Sequence, residues 1–348
     1  MADRVPALLA GDHFVLNRLL ATDLAFGGAA WDLREIELAW PHVPFGPVAE
    51  VDEASGTEDE MIEALQGVRA CITQMAPLTA RILGECPDLE FFAVSRGGPV
   101  NVNLAAATAH GVTVTFAPGR NATATAEYTV GLMLAAMRRI ARSDAEVRTG
   151  RWPSSLYAYT EAGLELAGST VGLIGAGSVG RRVAHALLGM GAEVLVHDPY
   201  ACPSGIPSGT RRVGLDVLLD ASAVVSLHAR LTDETRGLLD ARRLAAMRPG
   251  SVLVNTARGA LVDHGALADA LHSGHLYAAG LDVVDLEPLP ADHPLRTAPN
   301  VVLTPHLAGA SRAVAERASR IVTSEATRWQ RGEPLLHCAN PAVGTAAP

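Results

Sequence analysis

The run Thr170-Val171-Gly172-Leu173-Ile174 enters Gly175-Ala176-Gly177-Ser178-Val179-Gly180 and continues as a helical pattern to Leu188. A β-rich run, a G-x-G-x-x-G turn and a helix, in that order, commit the stretch to a strand–turn–helix unit of a doubly wound sheet. Gly175 permits the tight turn, Gly177 lets backbone approach a pyrophosphate, and Gly180 lets helix and strand pack closely. Ser178 and Val179 then open a helix whose free N–H groups and positive dipole end suit phosphates. Among 33 glycines the motif alone is weak, and its place between strand and helix is what carries it.

The rest of the chain repeats this alternation. Strand patterns over Val5–Leu9, Leu33–Trp40, Val68–Thr73, Leu89–Ser95 and Val112–Phe116 are interleaved with helical ones over His13–Leu24, Glu58–Gln66, Thr79–Gly84 and Asn101–His110. Such alternation predicts a parallel sheet covered on both faces. It breaks at Ala117-Pro118-Gly119, a long helix follows over Ala122–Thr149, and alternation resumes from Ser169 to about Thr304. Residues Ala310–Trp329 read as one amphipathic helix that packs back on the first unit. The expected fold class is α/β: two doubly wound parallel-sheet domains, 118–305 binding a dinucleotide and 1–117 plus 306–348 forming the other.

The chain holds 348 residues, 49% of them hydrophobic, which excludes disorder and suffices for two ordinary domains. The apolar stretch Tyr128–Met137 runs into Arg138 and Arg139, too short for the ~20 residues of a membrane span. Met1–Ala10 lacks the features of a signal peptide, so the expected location is the cytoplasm. Cys71, Cys86, Cys202 and Cys338 show no C-x-x-C pairing or metal-ligand spacing, so buried thiols and no metal are expected. A net charge of −9 without a basic patch argues against nucleic acid. All 28 basic residues are Arg. Without Lys there is no Walker-type phosphate loop, no Schiff base and no catalytic lysine.

Chemistry gathers after the glycine turn. The strand Glu193–His197 ends in Asp198, where a carboxylate accepts hydrogen bonds from a ribose diol and repels a 2′-phosphate, favouring NAD over NADP. Arg211 and Arg212 lie close enough to soften that preference. Three further strands end in candidate groups: Val252–Asn255 leads through Thr256-Ala257 to Arg258-Gly259, Gly280–Val284 leads to Glu287-Pro288, and Val301–Leu303 leads to Thr304-Pro305-His306. Ligands of doubly wound sheets bind at that C-terminal edge.

Together these motifs resemble the D-isomer-specific 2-hydroxyacid dehydrogenase family, over about Val68 to Trp329. The resemblance implies a flavodoxin-like substrate domain, a Rossmann NAD-binding domain and a catalytic triad at Arg258, Glu287 and His306. It implies hydride transfer between nicotinamide and C2 of a small D-2-hydroxy or 2-oxo acid. Asp282 matches the residue that holds the nicotinamide carboxamide, with Thr256 and Ala257 nearby, and His228 matches one lining the cofactor cleft or serves as a buried structural His. Arg96-Gly97-Gly98 matches the loop whose amides cradle the substrate carboxylate. Arg96 suits a second acid group of the substrate or, equally, a helix-capping surface role. The helix around 122–149 is the expected homodimer interface, with Trp152, Tyr157 and Tyr159 in the loop beyond it.

Departures from the family pattern bear on substrate choice. Loop 96–101 is about two residues short and stiffened by Pro99; Arg230 stands for a common Pro, His264 for an acidic residue and Val284 for an aromatic. An NAD-sensing corepressor-like protein and a phosphite oxidase remain alternatives on this fold. Formate oxidation is disfavoured because Glu287 stands where those enzymes carry Gln. A methyltransferase would leave Arg258, Glu287 and His306 without a task.

Overall fold

The computed structural model describes residues 4–40, 46–202 and 205–343. The first three residues of the N-terminal run and the last five of the expected 306–348 segment lie outside them. Contacts divide the chain into one unit of Met1–Asn121 with Ala310–Pro348 and a second of Ala122–Gly309.

The first unit alternates β1 (Val5–Gly11), α1 (Asn17–Gly27), β2 (Trp31–Glu37), α2 (Glu58–Leu65), β3 (Ala70–Thr73), α3 (Ala80–Glu85), β4 (Phe91–Val94), α4 (Leu104–Ala109) and β5 (Thr113–Phe116). All five strands are parallel, in the order β2-β1-β3-β4-β5, the flavodoxin-like winding. β3 and β4 are buried on both faces, which is why they read as unbroken apolar runs. Leu8 and Phe92 face one core with Met61 and Ile82; their neighbours Leu9 and Phe91 face the other with Leu20. The C-terminal helix, Arg312–Gln330, closes that second layer with Ala318, Val322 and Ala326, and Trp329 stacks on Phe91 with centroids 5.1 Å apart. The tail beyond it runs antiparallel along β5, Phe116 N–H donating to His337 carbonyl (3.1 Å) and Ala339 N–H to Val114 carbonyl (2.7 Å).

The second unit contains α5 (Ala122–Met137), α6 (Ile140–Arg148), β6 (Thr170–Ile174), α7 (Ser178–Gly189), β7 (Glu193–His197), β8 (Thr210–Arg212), α8 (Leu215–Ala221), β9 (Val224–Leu227), α9 (Ala241–Ala245), β10 (Ser251–Asn255), α10 (His264–His272), β11 (Leu276–Leu281) and β12 (Val301–Leu303). Its seven parallel strands lie in the order β12-β11-β10-β9-β6-β7-β8. The winding reverses between β6 and β9, the place where doubly wound sheets bind ligands.

Three expectations need correction. The single helix 122–149 is two helices, broken where Arg139 adopts φ 54°. The returning loop imposes the break: Leu164 N–H takes the Met137 carbonyl at 3.1 Å, and Arg139 pairs with Glu161 at 2.7 Å while lying over the Tyr277 ring. The divisions fall four residues later than expected, so His306 belongs to the second unit, because its backbone N–H donates to the Asp282 carbonyl at 2.8 Å. Cys71 and Cys86 are buried, but Cys202, in the turn after β7, is exposed. Among the described residues no helix is long and apolar enough to cross a membrane.

Candidate active site

Strand ends supply the site of the second unit, and β6 comes first. Gly175 adopts φ 102°, and a Cβ there would lie 2.7 Å from His228 backbone. A Cβ on Gly180 would sit 2.2 Å from the Gly175 carbonyl oxygen, so helix and turn touch through bare backbone. Gly177 is the opposite: a Cβ there would meet nothing within 4 Å. The N-terminus of α7, at Ser178 and Val179, has no side-chain cap among the described residues, which leaves its first amides for a ligand. A pyrophosphate fits this arrangement.

β7 delivers Asp198. Its carboxylate accepts from Ala176 N–H (2.8 Å) with one oxygen and from Tyr200 and Ala201 N–H (2.9 Å each) with the other. A carboxylate has about four acceptor positions, so one remains for a ribose hydroxyl. An open cavity of about 350 Å³ lies beside it, lined by His197, Pro199 and Arg212. Arg212 donates to the Asp198 carbonyl (2.7 Å), bracing the same turn from behind. His228, after β9, has its Nε2 3.0 Å from Ser226 Oγ, and burial pushes its pKa down to about 4. It is a neutral wall of the turn.

β10 ends in a pinned corner. Buried Asn255 accepts from Ala257 N–H (3.0 Å) and donates to the Arg258 carbonyl (2.9 Å), which holds Arg258 extended and its guanidinium exposed. The Thr256 hydroxyl is hydrogen-bonded to that of Thr129 at 2.7 Å. Gly259 lets the next loop through: a Cβ there would lie 1.9 Å from the Val284 carbonyl carbon. That loop carries Glu287, whose Oε1 accepts from Val284 N–H at 3.2 Å.

β11 ends in Asp282, 1% exposed. Its carboxylate accepts from Thr304 Oγ1 (2.7 Å) and from Leu307 and Ala308 N–H (2.8 Å each). Its carbonyl takes His306 N–H. Four bonds therefore hold the loop after β12, and they hold His306 at φ 57°, a left-handed conformation that costs such a residue about 1–2 kcal/mol. So held, His306 places Nδ1 2.8 Å from Glu287 Oε2. That hydrogen bond raises the His306 pKa above its usual value against burial and the nearby Arg258 charge. Burial alone would raise Glu287; the bond to His306, its charge and the Val284 amide outweigh it and lower it.

The structure thus brings Arg258, Glu287 and His306 together, with Asp282 behind them. In the first unit, Gly97 and Gly98 have open space where a side chain would lie. Arg96 is engaged otherwise: it is 3.1 Å from the Glu53 carbonyl and ion-paired with the Glu53 carboxylate. The sequence reading passed over Asn255 and the contact made by Gly259. It also passed over a cluster beside Glu287, where Asp285 Oδ1 lies 2.8 Å from His264 Nδ1 and 3.3 Å from His293 Nε2. Ligand atoms of the three lie within 4.8 Å of one another, the spacing of a metal site. Their protons argue otherwise: His293 Nδ1 accepts from Leu295 N–H, and buried His264 Nε2 has no partner among the described residues. A metal-bound imidazole donates its other N–H, and neither ring has an acceptor for it. The cluster suits a carboxylate clamped by two imidazoles, pinning the loop that carries Glu287.

Residues 130–308 match the model of the D-isomer specific 2-hydroxyacid dehydrogenase NAD binding domain. The chain belongs to this family. NAD is therefore its cofactor. The chain is 40% identical over 286 residues to D-3-phosphoglycerate dehydrogenase of Mycobacterium tuberculosis, covering 81% of this chain and 53% of that protein. It thus spans about half the length of that relative. To glyoxylate reductase of Korarchaeum cryptofilum it is 35% identical, covering 81% of this chain and 86% of the other. The crystal structure of the TT0316 protein from Thermus thermophilus superposes with a TM-score of 0.80 at 33% identity, over 96% of this chain and 100% of that one.

Proposed function

We propose that the protein is an NAD-dependent oxidoreductase that reduces a small 2-oxo acid to its D-2-hydroxy acid, and catalyses the reverse. The observation that carries this reading is the 2.8 Å bond between His306 and Glu287, with Arg258 close enough for its charge to act on both. When bound, NADH supplies the hydride that adds to C2. Negative charge then develops on the carbonyl oxygen. His306, its Nδ1 fixed by Glu287, presents Nε2 as the acid that protonates this oxygen, and the neutral ring takes the proton back in oxidation. Ionised Glu287 stabilises the imidazolium before transfer and sets its orientation. Arg258 offers a planar fork to the carboxylate and carbonyl of the acid.

The amides of Gly97 and Gly98, with Arg96, are the proposed substrate-binding groups of the first unit, and Asp282, Ala257 and the backbone of Thr256 are proposed to face the nicotinamide end. Asp198, with one acceptor position left, favours NAD over NADP. The domains are assigned accordingly, the first unit to substrate and the second to NAD. A second copy of the chain is the proposed partner: α6 buries none of its residues within the chain, and Trp152, Tyr157 and Tyr159 beyond it are 81%, 95% and 98% exposed. A cytoplasmic location suits this chemistry.

The test is loss of NADH absorbance across glyoxylate, pyruvate, hydroxypyruvate, longer 2-oxo acids and phosphohydroxypyruvate. His306→Ala should lower kcat by about 10²–10⁴-fold and leave NADH binding intact, because the ring acts on substrate oxygen. Turnover that survives in the variant, or silence of the wild type on every acid while NADH binds, would overturn the assignment.

A further inference from the structure

The two halves of the acid–base pair hang from different anchors of the second unit. His306 hangs from Asp282. Glu287 sits on the loop between β11 and β12, where its Oε1 accepts from the Val284 amide at 3.2 Å. Two braces hold that loop, one on either side of it. Beyond Glu287, Arg296 donates to the Pro290 and Leu289 carbonyls at 2.6 Å each. Before it, Asp285 Oδ1 lies between His264 Nδ1, at 2.8 Å, and His293 Nε2, at 3.3 Å, and the two rings meet edge to face with centroids 5.9 Å apart. His264 is the firmer of these two anchors. It opens α10, whose Leu267 and Leu271 lie in the core, and its own side chain is 1% exposed.

The neighbours of His264 fix its proton. The Asp285 backbone N–H lies 3.3 Å from Nδ1, but the shorter contact is to a carboxylate, so Nδ1 carries the proton and donates it. Nε2 is then a bare lone pair, buried without a partner among the described residues. Burial, with the nearby His293, lowers the ring's pKa against the pull of Asp285 and Asp263, so it is neutral at neutral pH. A buried ring with one nitrogen unpaired costs the fold more than an apolar side chain in its place. What the ring does, and an apolar side chain cannot, is donate to Asp285. That residue directly follows the amide that Glu287 accepts and stands two residues before Glu287 itself, so fixing it fixes the ground under the carboxylate. We propose that His264 is a positioning residue for the acid–base pair: through Asp285 it sets where the Glu287 carboxylate stands against His306. It acts through that loop and not on the reacting atoms. The inference rests on the reading of His306 as the acid, and adds to it the group that places the partner of the ring.

The test compares the full-length wild type with His264→Leu and His264→Asn, each checked for folding by its melting midpoint. The bond to Glu287 raises the His306 pKa most and the Asp282 charge adds to it, while burial and the Arg258 charge oppose them. If Glu287 drifts, the largest raising influence weakens, so the alkaline limb of kcat in the reductive direction should move to lower pH in His264→Leu. At neutral pH kcat should fall by about 10-fold, with KM for NADH unchanged. The Asn amide N–H takes the place of Nδ1–H and should restore most of both. Asp285→Ala should match His264→Leu, and the double variant should lose no more than either alone. A limb that stays in place, or Leu and Asn variants that behave alike, would overturn the proposal, since His264 would then only fill space. Activity lost to a chelator and restored by zinc would overturn it too, because the three side chains would then be metal ligands. A second readout needs no turnover. In protein isotopically labelled at histidine, the NMR signal of the His306 ring, assigned by its absence in His306→Ala, should titrate at lower pH in His264→Leu than in the wild type. If it does so while no acid is reduced, the positioning role stands and the oxidoreductase reading falls. If it titrates unchanged, the positioning role falls.

Discussion

The two C-terminal sheet edges are built on opposite terms. In the second unit the polar side chains at strand ends are spent on neighbouring loops: Asn255 on the backbone of Ala257 and Arg258, Asp282 on the Thr304 hydroxyl and the amides of Leu307 and Ala308, Asp198 on the amides of Ala176, Tyr200 and Ala201. In the first unit Arg120, in the turn after β5, keeps its Nε and Nη1 without a hydrogen-bond partner among the described residues, held by the Phe14 ring and the charge of Asp12. One edge is finished before any ligand comes, as groups that must move a proton at fixed distance require. The other leaves two N–H groups unpaired. Pre-organisation serves the reacting atoms.

Breaking the finished edge should have the largest effect. Asp282→Ala orphans three donors at once, and at about 1–3 kcal/mol for each buried group it should destabilise the fold by about 3–5 kcal/mol, read from denaturant midpoints. Turnover should fall with it, because three of the four bonds that hold the loop of His306 are then gone. A loss under about 1 kcal/mol would show that the edge does not depend on this carboxylate. Glu287→Gln sharpens the comparison through pH. A raised His306 pKa keeps the imidazolium, and with it the reductive rate, from low pH up through that pKa, and the rate falls above it. Glu287, lowered, stays ionised below its usual value, so it does not limit the rate near neutrality. The Gln variant loses the carboxylate that lifts the pKa while burial remains, so the alkaline limb of kcat against pH should move to lower pH. A limb that stays in place would assign it to another group. The smallest effect should fall on the other edge: Arg120→Met removes two unpaired N–H groups together with the Phe14 contact and the charge facing Asp12, so stability should change by less than about 1 kcal/mol. A larger destabilisation would mean that Arg120 has a further structural partner.

Most of the finished edge was legible in the sequence because its residues end strands whose pattern is plain: Thr256 to Arg258 after β10, Asp282 to Glu287 after β11, His306 after β12. The winding was legible for the same reason, since β3 and β4 are continuous apolar runs and the glycine turn marks β6. What escaped depends on contacts between distant residues. Nothing in the stretch Ala122–Thr149 announces that Leu164 will claim the Met137 carbonyl and end the helix. Cys202 looked like any other thiol until its turn was seen at the surface. His264, Asp285 and His293 are separated by a helix and a loop, and Arg120 reads as one more surface cation until its neighbours are known.

The first unit is made from both ends of the described chain, with Arg312–Gln330 closing a core layer laid down by β1, β3 and β4. During synthesis the 188 residues from Ala122 to Gly309 must be made in between, at about 5–20 residues per second. For on the order of ten to forty seconds, then, the ribosome holds a five-stranded sheet with one face covered by α1 alone, while the continuous second unit can fold as soon as it emerges. The order of assembly is thus the reverse of the order of translation: the part made first is the last to be finished.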